Sequence, residues 1–266
     1  MTVPSGDVAL DPNGNGGYYF DRAYARWLPV LRQAVSRDEA SYAFIEMGTA
    51  DYLLHVVAVA SGKEVLWHIP TGTFSGQPFV FDYSTDGIYI ANAFESLQAG
   101  LWLVDPTTGS IRLVGKDLFP VYSAGNGIVW VQTLNPADPN PLVTGSSLGT
   151  LPNEIDRVDT RSGTRTEWLY EPGKGLSFKG LDSRGLPLIT EIGIWIVDPN
   201  AQLLLVAAPD SPRLIYKGAN AIFLGDSITD AHGVWFGGQR GIYLFTNGGA
   251  LVKVSNNPSE LANGCF

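Results

Sequence analysis

Gly100-Leu101-Trp102-Leu103-Val104-Asp105-Pro106-Thr107-Thr108-Gly109-Ser110-Ile111-Arg112-Leu113-Val114 reads as a short apolar strand, a tight turn and a second, alternating strand. Asp, Pro and Gly stand where a hairpin needs a side-chain acceptor, a preset φ and a left-handed residue. Related hairpins recur along the chain, with turns starting at Ala60, Asp105, Asp159, Asp198 and Thr246. The spacing is roughly 40–55 residues, which suits one propeller blade per step.

Between these hairpins lie further strand pairs around polar-Gly turns. They run Phe79 to Asn92 through Ser84-Thr85-Asp86-Gly87, Val121 to Gln132 through Gly125-Asn126-Gly127, Leu176 to Thr190 through Asp182-Ser183-Arg184-Gly185, and Ile222 to Gly237 through Thr229–Gly233. Two hairpins per period make four strands, the inventory of a blade. In the fourth unit the third strand is read as Ile192 to Val197, turning at Asp198-Pro199-Asn200. The one ambiguous helical stretch, Arg22 to Val35, is broken by Pro29.

The fold expected is therefore all-β: one propeller domain over residues 1–266, with six four-stranded blades, or five as the alternative. In the six-bladed form Asp7 to Leu10, the N-terminal hairpin of Gly16–Asp21 and Arg26–Val30, and the C-terminal Leu261–Phe266 share the closing blade. Closing the ring in this way removes exposed sheet edges. Residues 134–153, which include Asn135-Pro136-Ala137-Asp138-Pro139-Asn140-Pro141, read as a loop insertion within blade three.

Composition narrows the function. Hydrophobic residues are 45% and charged residues only 16%, with 31 glycines and 17 prolines, so the chain suits a turn-rich β fold and not disorder. The formal charge of −9 opposes binding to nucleic acid. Apolar runs such as Leu203 to Ala208 are too short to span a bilayer. Cys265 is the single cysteine, so no intrachain disulfide can form. Met1–Gly6 carries no signal-peptide pattern, so any such segment is absent from this chain.

Val35-Ser36-Arg37-Asp38-Glu39-Ala40-Ser41-Tyr42-Ala43 resembles the segment that links the inner strands of a blade in TolB-like six-bladed propellers. There the pattern is V-S-P-D-G-x-x-Y-A; here Arg37 replaces the proline, and Glu39-Ala40 stands where the glycine is usual. His55–Gly62, Ile88-Tyr89, and His232–Gly237 followed by Gly241–Phe245 fit the same family pattern. The resemblance implies an extracytoplasmic binding or scaffold domain, periplasmic, at the cell surface or secreted. The expected partner is another protein or a cell-surface component.

Several motifs invite chemistry. Gly225-Asp226-Ser227 copies the serine block of SGNH esterases with His232 nearby, and Gly145-Ser146-Ser147-Leu148-Gly149 matches a nucleophile elbow, but neither has its strand-to-helix context. Asp11-Pro12-Asn13-Gly14-Asn15-Gly16 matches half of a calcium loop, with Asp11, Asn13 and Asn15 as candidate ligands. The competing reading is an Asn-Gly turn, so the expected cofactor is none, with Ca²⁺ as the alternative. His55, His68 and His232 show no ligand spacing, and the seven tryptophans, roughly one per blade, read as packing.

Inner-strand polar residues expected to line the central channel are Ser36, Asp82, Tyr122, Lys179, Asp226 and Asn263. The function expected is a non-catalytic propeller acting as a protein- or ligand-binding scaffold. The alternative is a propeller hydrolase or lyase that uses a channel metal, which would need three or more converging carboxylates or histidines.

Overall fold

The computed structural model describes residues 19–21, 23–74, 76–92, 100–116, 118, 121–141, 150–192, 201–218, 227–230, 232–238 and 240–257. Blade one holds β3 (Ser41–Met47), β4 (Asp51–Ala58) and β5 (Glu64–Pro70), and Val35 adds an inner bridge to Tyr42. Blade two is β6 (Pro78–Ser84), β7 (Gly87–Asn92), β8 (Gly100–Val104) and β9 (Ile111–Lys116). Blade three is β10 (Val121–Gly125), β11 (Ile128–Thr133), β12 (Glu154–Asp159) and β13 (Arg165–Tyr170). Blade four is β14 (Gly175–Leu181), β15 (Pro187–Ile192), β16 (Ala201–Val206) and β17 (Pro212–Gly218). Blade five is β18 (Ser227–Asp230), β19 (Gly233–Gly238), β20 (Gly241–Thr246) and β21 (Leu251–Ser255). A separate hairpin pairs β1 (Tyr19–Asp21) with β2 (Arg26–Leu28).

Every sheet is an antiparallel meander in chain order. A short 3-10 turn, Arg32–Ala34, lies against β6. β3 also packs on β6, β6 on β10, β10 on β14 and β14 on β18. Innermost strands that touch in sequence, with the rest of each sheet running outward, make a β-propeller. Asp7 to Leu10 and the C-terminal segment expected in the closing blade lie outside the described residues.

Both faces of blade two are covered, so its second strand is buried along its whole length. In β7, Ile88 and Ile90 pack with blade one, while Tyr89 and Ala91 pack with blade three. The side-chain period of two sends alternate residues to opposite neighbours. Blades three and four meet through Trp130, Ile155, Leu176 and Phe178, and blades four and five through Leu188, Leu203, Phe236 and Phe245.

Polar clamps repeat at these seams. From the fourth strand of one blade, a side chain donates to a carbonyl at the end of the next blade's third strand. Trp67 Nε1 reaches Pro106 O at 3.1 Å, Arg112 Nη1 reaches Thr160 O at 2.6 Å, and Trp168 Nε1 reaches Val206 O at 3.0 Å. Arg26 Nη1 makes the same contact from β2 to Val59 O at 2.7 Å, which places the N-terminal hairpin where the outer half of a preceding blade belongs.

Two irregularities also repeat. In β6, β10 and β14, a bulge leaves Phe81, Tyr122 and Lys179 unpaired in the ladder. In β9, β13, β17 and β21, the extra residues are Val114, Trp168, Ile215 and Val254. Bulges increase strand twist and re-aim side chains, here at the channel and at the rim.

Blade four corrects one expectation. Its third strand is Ala201–Val206 and the turn after it spans Ala207–Ser211, whereas the expected turn Asp198-Pro199-Asn200 lies outside the described residues. Two apolar runs compete here. Leu203, Leu204, Leu205 and Val206 are all buried and pair with β17, which decides the register.

Candidate functional site

The first strands end on one face of the ring in short turns whose geometry comes from Asp, Ser and Gly. In blade one, the Ser36 hydroxyl donates to Asp38 at 2.6 Å and accepts the Ser41 N–H at 3.0 Å. Glu39 takes φ +59°, the left-handed conformation for which glycine is usual. Its carboxylate compensates by accepting the Tyr19 hydroxyl at 2.7 Å and facing Arg32 at 3.5 Å.

In blade two, Asp86 accepts the hydroxyls of Ser84 and Tyr89, and reaches across to the N–H groups of Asn126 at 3.1 Å and Gly127 at 2.9 Å. Burial pushes its carboxyl up, but these donors outweigh burial and hold it below the usual range. The turns of blades two and three are thereby joined.

A cavity of about 520 Å³ opens among these turns. Arg37 comes from blade one, Asn126 from blade three, Lys179 and Asp182 from blade four, and Ser227 and Thr229 from blade five. Residues from non-adjacent blades can share one cavity only at the channel mouth. A groove of about 760 Å³ between blades one and two adjoins it, lined by Ser36, Arg37, Asp38, Tyr83 and Asp86. Arg37 belongs to both. A third hollow of about 750 Å³ lies between blades two and three, beside Arg112 and Thr160.

Arg37 Nη2 contacts Asp82 Oδ2 at 3.2 Å, with the arginine side chain 56% exposed and the aspartate only 12%. Asp82 sits just after the β6 bulge, opposite Tyr89 in the ladder. Burial raises its carboxyl to about 6, Arg37 opposes that rise, and Asp86 adds to it. Gly125 on β10 faces this spot, where an added Cβ would stand 3.9 Å from Asp82 Oδ2 and 3.3 Å from Ser84 Cβ.

The candidate residues from the sequence distribute as follows. Ser36 and Lys179 line the mouth and its adjoining groove, and Asp82 connects to both through Arg37. Tyr122 is the bulged residue of β10, and its side chain is outside the described residues. Asp226, Asn263, Asp11, Asn13, Asn15 and the Gly145–Gly149 motif also lie outside them. Arg37, Asn126, Asp182 and Thr229 are additions from the structure. In sequence Asn126, Asp182 and Thr229 show only as turn residues, and Arg37 as the departure from proline in its turn.

The Ser227 hydroxyl donates to the backbone carbonyl of Lys179. His55 is sandwiched in blade one, its ring nitrogens 2.5 Å from Glu64 and 3.1 Å from Glu46, and it stacks on Phe44 at 4.3 Å between centroids. His68 faces Asp51 at 3.2 Å. Among the described residues, no three His, Cys, Asp or Glu side chains lie together as a metal site would require, and no helix is long and apolar enough to cross a membrane.

β11 and β12 are joined at the opposite face from these turns, through a connection described at residues 134–141 and 150–153. Asn153 is fully buried there, and its amide donates to Asp138 at 2.5 Å. Asp138 also accepts the N–H of Gly173 at 3.0 Å, which ties the connection to the end of blade three.

No family model matches the sequence, and no curated protein matches it. Among solved structures, a prolyl endopeptidase superposes with TM-score 0.54 at 12% identity, over 89% of this chain and 38% of that one. TolB from Acinetobacter baumannii gives TM-score 0.47 at 11% identity, over 84% of this chain and 54% of that one. An acylaminoacyl peptidase from Pyrococcus horikoshii gives 0.33 at 10% identity, over 80% of this chain and 44% of that one. The chain thus spans about half or less of the length of these structures. At 12% identity the likeness to the prolyl endopeptidase structure is one of fold alone.

Proposed function

We propose that this propeller is an extracytoplasmic binding domain that receives a segment of another protein, or a cell-surface ligand, at the channel mouth. The observation that carries this reading is the shared cavity. Residues of four blades line one opening, and Arg37 connects it to the groove between blades one and two. Concave sites with a few fixed polar groups are the usual place for ligands on a repeat scaffold. The sites of the mouth hold hydroxyls, an amide and two cations, a set suited to recognition. No cofactor enters the proposal. The alternative, a hydrolase or lyase with a channel metal, needs converging carboxylates or histidines, which the described part of the mouth does not bring together.

The test is capture from an envelope extract of the source organism on immobilised protein. The wild type is compared with the double variant Arg37→Glu, Lys179→Glu, after both are shown to melt alike. A component retained by the wild type and lost by the variant is expected. Equal retention by both overturns the mouth as the binding site.

A further inference from the structure

The mouth cavity lies between cations from opposite sides of the ring, Arg37 of blade one and Lys179 of blade four. The acid that lines it, Asp182, is already neutralised. Arg184 Nε and Nη2 reach its Oδ2 at 3.0 and 2.8 Å, and its Oδ1 takes the N–H groups of Arg184 and Leu186, both at 2.9 Å. The charged side chains that line the opening are thus two cations and one acid whose partner is its own turn. Phe178 and Leu181 add an apolar wall.

Arg37 is held loosely for a guanidinium. It has five N–H donors, and its contact to Asp82 is end-on through one nitrogen at 3.2 Å, with more than half of the side chain in solvent. A ligand carboxylate could take the planar fork bidentately, a stronger arrangement than a single contact. Hydroxyls of Ser183 and Thr229 stand in the same cavity to orient it.

Resting on the reading of the mouth as a binding site, we infer that it takes a carboxylate-bearing ligand with an apolar flank, such as a peptide C-terminus, and that the ligand exchanges with Asp82 for Arg37. Lys179 meets the same carboxylate from the far side. Asp82, left behind on β6, takes up a proton from solvent.

The surroundings of Asp82 support the exchange. The charged groups that face it are Arg37, Arg32 beyond it, and Asp86 from its own turn; Tyr89 lies opposite on β7 and Gly125 on β10. Its carboxyl titrates at about 6 with Arg37 in place. Removing the guanidinium raises it further, since a buried carboxylate without a partner is costly. Ligand binding therefore takes up a proton, and affinity is full below pH 6 and falls as pH rises above it.

The test is calorimetric titration with N-acetylglycyl-leucine and with its C-terminal amide, at pH 5.5 and 7.5. The acid is expected to bind about tenfold or more tighter than the amide, and about tenfold tighter at pH 5.5 than at 7.5. Arg37→Gln should remove the preference for the acid. Asp82→Asn should keep the preference and abolish the pH dependence. Thermal transitions of both variants confirm folding first. Equal binding of acid and amide, no binding of the acid at either pH, or full pH dependence in Asp82→Asn overturns the inference. A partner captured through the mouth together with such a result would leave the binding function standing and remove only its carboxylate chemistry.

Discussion

Trp168, on the fourth strand of blade three, donates its indole N–H to the carbonyl of Val206 in blade four at 3.0 Å, while its ring meets Trp130 edge-on at 5.3 Å. The side chain thus closes a seam at the rim and fills the space beneath it. Trp67 and Arg112 occupy the same place in their blades, and Arg26 does so in the N-terminal hairpin. Each blade meets only its neighbours, so the ring's stability depends on such nearest-neighbour terms.

Trp168→Phe removes the hydrogen bond and part of the edge-on contact while keeping most of the apolar fill. A loss of about 2 kcal/mol is expected, from about 1 for each term. Arg112→Met should cost about 1 kcal/mol at its own seam. The two seams share no partner, so the double variant should show the sum within about 0.5 kcal/mol. Denaturant unfolding checks this, and a double variant no less stable than Trp168→Phe alone would show that the clamps do not act as separate terms.

Gln132 carries a different seam. Fully buried on β11, it donates to Leu176 O at 2.6 Å and accepts the Phe178 N–H at 3.0 Å, so one amide satisfies two backbone groups of β14. Gln132→Ala leaves both groups buried and unpaired, with an expected cost of about 2–3 kcal/mol. Gln132→Glu keeps the shape but turns the donor into an acceptor facing a carbonyl, and should cost more. A Gln132→Ala protein that melts within about 2 °C of the parent would contradict this assignment.

Local turn chemistry was legible in the sequence. Asp105 accepts the N–H groups of Thr107 at 2.7 Å and Thr108 at 3.3 Å, and Gly109 adopts φ +71°, so the opening hairpin forms from adjacent residues alone. Asp159 and Gly163 repeat that arrangement. In blade four two apolar runs and two sets of turn residues lie within twenty positions, and only pairing with β17 assigns Ala201–Val206 as the third strand. The bulges at Phe81, Tyr122 and Lys179 leave no local signature, since a bulge is a property of two strands. Arg37 and Asp82 are 45 residues apart, and a departure from a turn pattern says nothing of the carboxylate it will meet. Side chains that line the channel could be proposed from strand position; their pairing could not.

Glu154 and Asp156 point from the same face of β12 into one site, with Arg165 Nε 2.8 Å from Asp156 and its Nη2 3.0 Å from the Thr133 hydroxyl. Arg165 favours Asp156 and stands 3.9 Å from Glu154. Burial raises the Glu154 carboxyl to about 7, reinforced by its hydrogen bond and repulsion with Asp156 and by Glu167. A carboxyl raised on folding binds its proton more tightly in the native state than in the unfolded chain. The fold therefore loses stability from this group as pH rises from its ordinary value of 4.5 through about 7. Asp82 acts in the same direction between its ordinary 3.8 and about 6. Glu154→Gln keeps a hydrogen-bond donor toward Asp156 at every pH. Its melting temperature should exceed that of the parent by about 2 °C or more at pH 8, and the difference should vanish near pH 4.5. A variant less stable than the parent at pH 8 would mean that Arg165 stabilises the ionised Glu154 more than Asp156 and burial destabilise it.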